Sequence, residues 1–279
     1  DRTVGYYISA DYNREGGLNK LTDDYWNRYS SRARLDFAPV KWLKLDNNLS
    51  IYRTERAVPT TDITEIYTLQ PTQVAVNPDG TWANTTAGRL AARLTDGGNR
   101  RQDMFGFQNI FRGIVTALNG DLQVTGSASF KREQWNTNQN IRSYRIGYGP
   151  SDIRTEGGTG SVAETNATLV NNVLDLFGNY TKTLGVHRIS LLAGYNQESY
   201  GYNTTKAQKV GLISPSLPYI NLTSGNSFAY GADSSYATRS FFGRINYTLN
   251  DRYIIEANGR YDGSSRFPSS NRWGFFPSV

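Results

Sequence analysis

The chain has 279 residues with no Cys, one His and one Met, which excludes disulfide scaffolds and thiolate metal sites. Its net charge of +6 is carried by Lys and Arg scattered singly among Asp and Glu, with no basic run of the kind that tracks nucleic acid. No stretch approaches the roughly 20 apolar residues of a membrane-spanning helix. Residues 1–12 read as a strand, not as the basic segment and apolar core of a signal peptide. Helix signals are scarce; Tyr, Phe, Thr, Gly, Asn and Ser dominate, the vocabulary of strands and turns, so the class is all-β.

In chain order, the dominant signal is strict alternation of apolar and polar positions. Val4, Tyr6, Ile8, Ala10 and Tyr12 form the first apolar file. Ala33, Leu35 and Phe37 follow, opposed by Arg32, Arg34 and Asp36. Leu43, Leu45, Leu49 and Ile51 oppose Lys44, Asp46, Asn48 and Ser50, and Phe105, Phe107, Phe111 and Val115 make a less tidy file. Leu122, Val124, Gly126, Ala128 and Phe130 oppose Gln123, Thr125, Ser127, Ser129 and Lys131. Leu174, Leu176, Gly178 and Tyr180 come next, then Ile189, Leu191, Ala193 and Tyr195. Phe241, Gly243, Ile245, Tyr247 and Leu249 oppose Arg244, Asn246 and Thr248. Tyr253, Ile255, Ala257, Gly259 and Tyr261 oppose Glu256, Asn258, Arg260 and Asp262. These are nine strands, with a tenth beginning near Trp273.

Successive side chains of a strand point to opposite faces, so each segment has one apolar and one polar face. A soluble sandwich would show the same alternation. The segments, however, run about 10 to 13 residues, the length of a tilted membrane strand and not the usual 5 or 6 of a soluble one. Tyr6, Tyr12, Tyr195, Tyr253 and Tyr261 give the files aromatic ends, as in the girdles of a lipid-facing barrel.

Connections sort by length. Short links fall at Ala38–Trp42, Leu118–Asp121, Leu184–His187 and Leu249–Arg252, two of them with Asn-Gly-Asp or Asn-Asp turn chemistry. Longer ones fall between them, at Arg14–Arg28, Thr54–Arg101, Glu133–Thr168, Gly201–Tyr236 and Gly263–Arg272. Short turns at one rim and long loops at the other are the habit of transmembrane β-barrels.

The run RYDGSSRFPSSNRWGFFPSV (Arg260–Val279) resembles the signature stretch of SusC/RagA-type TonB-dependent outer-membrane transporters of the Bacteroidetes. YYISADYNREGGLNK (Tyr6–Lys20), RYSSRARLDFAPVKWLKLDNNLS (Arg28–Ser50) and FFGRINYTLNDRYIIEANGRYDGSSRF (Phe241–Phe267) are similar to the same barrel in the same order. The resemblance implies an antiparallel barrel of about 22 strands with a plug, of which residues 1–279 are an internal segment of about ten strands. It also implies active import of an oligosaccharide or peptide, energised through TonB and the plug, with a SusD-like surface lipoprotein as lid. A passive porin or adhesin barrel, and a soluble carbohydrate-binding sandwich, are the alternative readings.

On the transporter reading, aromatic side chains of the long loops and upper lumen wall would stack on substrate while polar neighbours orient it. The candidates are Trp82, Trp135, Asn136, Tyr144, Tyr148, Tyr200, Tyr202, Tyr219 and Tyr230. Loop packing or a girdle position is the commoner use of such residues. Arg32, Arg34, Asp36, Arg244, Glu256, Arg260 and Asp262 would line the lumen, most simply as cross-strand ion pairs on a polar wall. No catalytic, cofactor or metal residue is expected. The single His187 falls at a short turn, and GxSxG, HExxH and EF-hand motifs are missing from the sequence.

Overall fold

A computed structural model describes residues 4–279; the expected start of the first strand at residues 1–3 lies outside them. The strands in chain order are β1 (Val4–Gly16), β2 (Tyr25–Val40), β3 (Leu43–Pro59), β4 (Asn99–Ala117), β5 (Leu122–Ile141), β6 (Tyr144–Gly149), β7 (Asp152–Glu156), β8 (Ser161–Leu184), β9 (His187–Val210), β10 (Ser227–Leu249), β11 (Tyr253–Ser264) and β12 (Trp273–Ser278). Ten of them form one antiparallel meander in the order β1-β2-β3-β4-β5-β8-β9-β10-β11-β12, and β6 and β7 make a separate hairpin. One α-helix, α1 (Thr86–Thr95), lies between β3 and β4, preceded by a 3-10 turn at Ile63–Thr68.

The apolar files all fall on one face. Pairing brings Phe37, Leu45, Gly113, Gly126, Leu176, Tyr195, Phe241, Tyr261 and Phe275 into a single row across nine strands. Among the described residues that face has no second sheet against it: Ile8 is 72% exposed, Ile255 64% and Leu176 51%. A water-soluble sandwich buries such a row between two sheets, so the arrangement fits lipid and rules out the sandwich reading. Among the described residues no helix is long and apolar enough to cross a membrane, so any crossing is made by strands.

The short turns lie together at one rim. Leu118 and Asn119, and Asn250 and Asp251, hold positive φ of 51° to 56°, the left-handed pair that a tight hairpin matched to strand twist requires. The tips do not lie on one row. The row through Leu43, beside the β2–β3 turn, reaches Gly243 on β10, six residues short of the β10–β11 turn at Leu249. Such stagger is the shear that strands tilted to a barrel axis must accumulate.

At the opposite rim the strands outrun the sequence expectation. β8 and β9 have 24 residues each and β10 has 23, about twice the 10 to 13 residues expected of each segment. The extra length pairs segments such as Asn203–Lys206 with Thr165–Thr168, which are polar but for Ala167. Ladder hydrogen bonds need no apolar side chains, so where both faces meet water the pairing continues after the alternation stops. The loops are correspondingly shorter, and the β3–β4 connection is not irregular. Thr85 caps α1 by accepting from the Gly88 amide at 3.0 Å, and α1 buries Leu90, Ala91 and Leu94. Fully buried Leu90, Ile146 and Val162 form the core of this cap at the long-loop rim.

Candidate functional site

The face opposite lipid carries the expected charges, with a different pairing. Arg34–Asp36 (2.9 Å) and Arg260–Asp262 (2.7 Å) run along one strand, between residues i and i+2, instead of crossing between strands. Same-face neighbours on one strand are about 7 Å apart, within reach of a bent Arg. Arg244 does cross, giving Nε–H to Asn258 at 2.7 Å and lying 3.8 Å from Glu256. Arg32 donates to Asn48 at 2.9 Å, and Arg260 also donates to Ser240 at 3.0 Å. These groups are satisfied by neighbours, as a water-facing wall demands.

Above them, on the same face, the wall becomes aromatic. Trp135 on β5 and Tyr202 on β9 stand 6.4 Å apart, flanking buried Ala167 on β8. One row further along, Tyr200 and Tyr236 stack at 4.9 Å with planes 19° apart. Glu198, directly beneath, accepts from Asn171 at 2.7 Å and from the Tyr236 hydroxyl at 3.4 Å, and Arg266 lies 4.0 Å over the Tyr236 ring. Four rings, one carboxylate and one amide thus form a continuous ledge at the upper end of the wall. Tyr236, Glu198, Asn171 and Arg266 escaped the sequence reading. Extending the strand parity of Phe242 upward by six residues would have placed Tyr236 among the candidates.

Other candidates fall elsewhere. Trp135, Asn136, Tyr200, Tyr202 and Tyr230 are strand residues, not loop residues. Alternation therefore separates Trp135 from Asn136, which points to the outer side. Tyr230 shares the parity of Tyr236 but sits six pairs higher, 61% exposed. Trp82 is held in the cap: its indole N–H donates to Asp96 at 2.8 Å. Tyr148 on β6 donates to Glu156 (2.7 Å), accepts from Arg89 (2.6 Å), and lies under Arg154 at 4.2 Å. That hydrogen bond to Glu156 is the first cause of a Tyr148 pKa above the ordinary tyrosine value, and burial is the second. Tyr144 packs on Gly157, and Tyr219 is exposed in the β9–β10 loop. His187 lies at the short-turn rim with its ring nitrogen 2.7 Å from the Tyr247 hydroxyl, as its position predicts.

An antiparallel meander with one lipid-facing side, one polar side, and short and long connections on opposite rims is a stretch of transmembrane β-barrel wall. No family model matches the chain. TonB-dependent receptor P3 of Formosa agariphila is 26% identical over 300 residues, covering 98% of this chain and 28% of that relative. TonB-dependent receptor SusC of Bacteroides thetaiotaomicron is 31% identical over 127 residues, 44% of this chain and 12% of that relative. Among solved structures, the RagAB peptide importer in its closed-closed state superposes with a TM-score of 0.80 at 20% identity, covering 99% of this chain and 32% of that one. Over nearly its whole length the chain is thus similar in sequence to part of TonB-dependent receptors and has the fold of their barrel wall, which places it in the outer membrane. It spans a little over a quarter of the length of the Formosa relative.

Proposed function

We propose that this wall belongs to an outer-membrane importer that takes up an oligosaccharide or peptide in a TonB-dependent cycle, under a SusD-like surface lipoprotein. The observation that carries the reading is the ledge of Trp135, Tyr202, Tyr200 and Tyr236, placed on the polar face at the long-loop rim and flanked by Glu198 and Asn171. Flat aromatic faces stack on sugar rings or apolar peptide groups, and the carboxylate and amide orient the hydroxyls or backbone amides beside them. The charges below the ledge bind one another, which suits a polar passage better than a catalytic centre.

The test is binding of a panel of neutral oligosaccharides and of a pool of tryptic peptides to the full receptor in detergent, followed by uptake in cells. One of the two classes should bind, and Trp135→Ala and Tyr200→Ala should each weaken it about tenfold, roughly 1.4 kcal/mol. Binding of both classes unchanged by either variant would remove the ledge from the substrate path.

A further inference from the structure

The outer side of the wall carries a feature that import does not use. On β4, β5 and β8 the lipid-facing side chains leave an apolar trough of about 730 Å³, with Phe111, Gly113, Gly126, Ala128, Leu174 and Leu176 among its lining. The paired glycines Gly113 and Gly126 make it deep, since neither fills the row with a side chain. Higher on the same outer face of the same three strands, above Phe105 and Phe130, lies a polar groove of about 560 Å³. Its floor is amide-rich, with Asn136, Asn138 and Asn166, and the β9–β10 loop overhangs it with Tyr219. Arg101 and Arg142 enter the groove together.

The charge pattern points to an anion. Arg132 stands on the outer face one step above Phe130, at the upper edge of the apolar band. Among the described residues, Arg132, Arg101 and Arg142 make no ion pair, whereas Asp103 on the same face is taken by Arg53 at 3.3 Å. Glu164 is the remaining carboxylate of the groove, opposite Asn138. Burial first, and then the neighbouring Arg101, push the Arg142 guanidinium below its ordinary value, against a smaller opposing pull from Asp96. From Ala128 in the trough to Asn138 in the groove is ten residues, about 33 Å along the strand at 3.3 Å per residue. A single amphipathic molecule lying against the wall is of that order of length.

We infer that the outer face of β4, β5 and β8 is a binding site for a phosphorylated glycolipid of the outer leaflet. Its acyl chains lie in the Gly113–Gly126 trough. Its phosphate sits at Arg132, and its sugars lie in the groove of Asn136, Asn138, Arg101 and Arg142. Amides pair with vicinal hydroxyls through donor and acceptor together, and Arg matches phosphate in a two-pronged contact. The site faces lipid, on the opposite side of the sheet from the substrate ledge, and is independent of it.

The experiment is native mass spectrometry of the full receptor in nanodiscs containing an acylated, phosphorylated disaccharide glycolipid, its dephosphorylated form, or neither with glucose 1-phosphate added. The phosphorylated glycolipid should be retained, and Arg132→Ala with Arg101→Ala should reduce retention at least fivefold. Arg239→Ala, an exposed outer-face arginine on β10 away from the groove, should leave retention unchanged. Heat-modifiable mobility of every variant confirms a folded barrel. Equal retention in the Arg132/Arg101 variant, or of the dephosphorylated lipid, overturns the proposal. Glucose 1-phosphate binding as tightly as the glycolipid also overturns it, and assigns the groove to a soluble sugar phosphate.

Discussion

The ring of Tyr52 crosses Gly106 so closely that a carbon attached at Gly106 would stand 2.2 Å from Tyr52 Cζ. The crossing lets Tyr52 on β3 span β4 and donate its hydroxyl to Glu133 on β5, in a row set by the Tyr52–Gly106 and Gly106–Glu133 pairings. Glu133 is only 7% exposed and has Lys131 at 3.0 Å as its other partner. Gly106→Ala should push the ring away and leave this carboxylate short of a donor, at a cost of about 1–3 kcal/mol. Tyr52→Phe, which keeps the ring and loses the hydroxyl, should cost less. Urea unfolding of the folded receptor reads both; a Gly106→Ala variant as stable as wild type would mean that the ring moves without penalty.

The two faces can be tested with adjacent residues. Ala128 lies in the lipid-facing trough, whereas Ser127 faces the lumen and lies 3.3 Å from Asp175. Ala128→Arg should destabilise the barrel by about 2–4 kcal/mol if it reaches the bilayer midplane. Ser127→Arg gains Asp175 as a partner and should assemble normally. The comparison is the fraction of heat-modifiable protein in membrane extracts, and equal loss in both would contradict the assigned faces.

The cap should fail separately from the barrel. A Cβ at Gly88 would fall 2.1 Å from the Ala83 carbonyl oxygen and 2.9 Å from that of Ala75, both backbone atoms that cannot step aside. Gly88→Val should therefore open the segment from Thr60 to Gly98 while the ten-stranded sheet remains intact. Limited proteolysis should find new cuts within that segment, at unchanged heat-modifiable mobility. Cuts spread through the strands would show that the cap is needed for the sheet itself.

Acid should loosen the same rim first. Asp79 accepts from the Thr81 hydroxyl at 2.7 Å and its amide at 3.0 Å, and these two bonds hold its carboxyl below the ordinary value. Asp152, hydrogen-bonded to Arg154, is lowered too. A carboxylate depressed on folding adds stability above its unfolded value, about pH 3.9, and loses it as pH falls through the lower folded value. Hydrogen exchange, corrected for intrinsic rates, should thus show residues 77–81 and the β6–β7 hairpin opening below about pH 4, with β8 and β9 still protected. Asp79→Asn should reduce that pH dependence at residues 77–81.

Much of the wall was legible in the residues because lipid and water impose opposite demands on alternate side chains. The file from Leu122 to Phe130 specifies both a strand and its outer face, and Asn250-Asp251 specifies the turn after β10. Legibility ended where that contrast ends. Asn203, Thr204, Thr205 and Lys206 are polar on either parity, so nothing in them announces a strand, and Tyr200 and Tyr202 were placed in a loop. Helix α1 was missed because its apolar face is short, although Thr85 as cap with Leu90 and Leu94 four residues apart marks it. The ledge was half found: single aromatics were visible, but their convergence depends on register between β5, β8, β9 and β10, which no single segment encodes.

The six-residue step between the first and last short turns also has a geometric consequence. In a closed sheet, strand tilt, stagger and strand count together set the radius, so the width of the passage is written in the lengths of strands and not in any side chain that lines it. Adding one residue to a strand would turn its remaining side chains inside out and strand charges in lipid. Adding two would keep every face correct yet displace the neighbouring tip by about 7 Å, altering the stagger and with it the bore. On the importer reading, capacity would then change by insertions of even number in a strand that never meets the cargo.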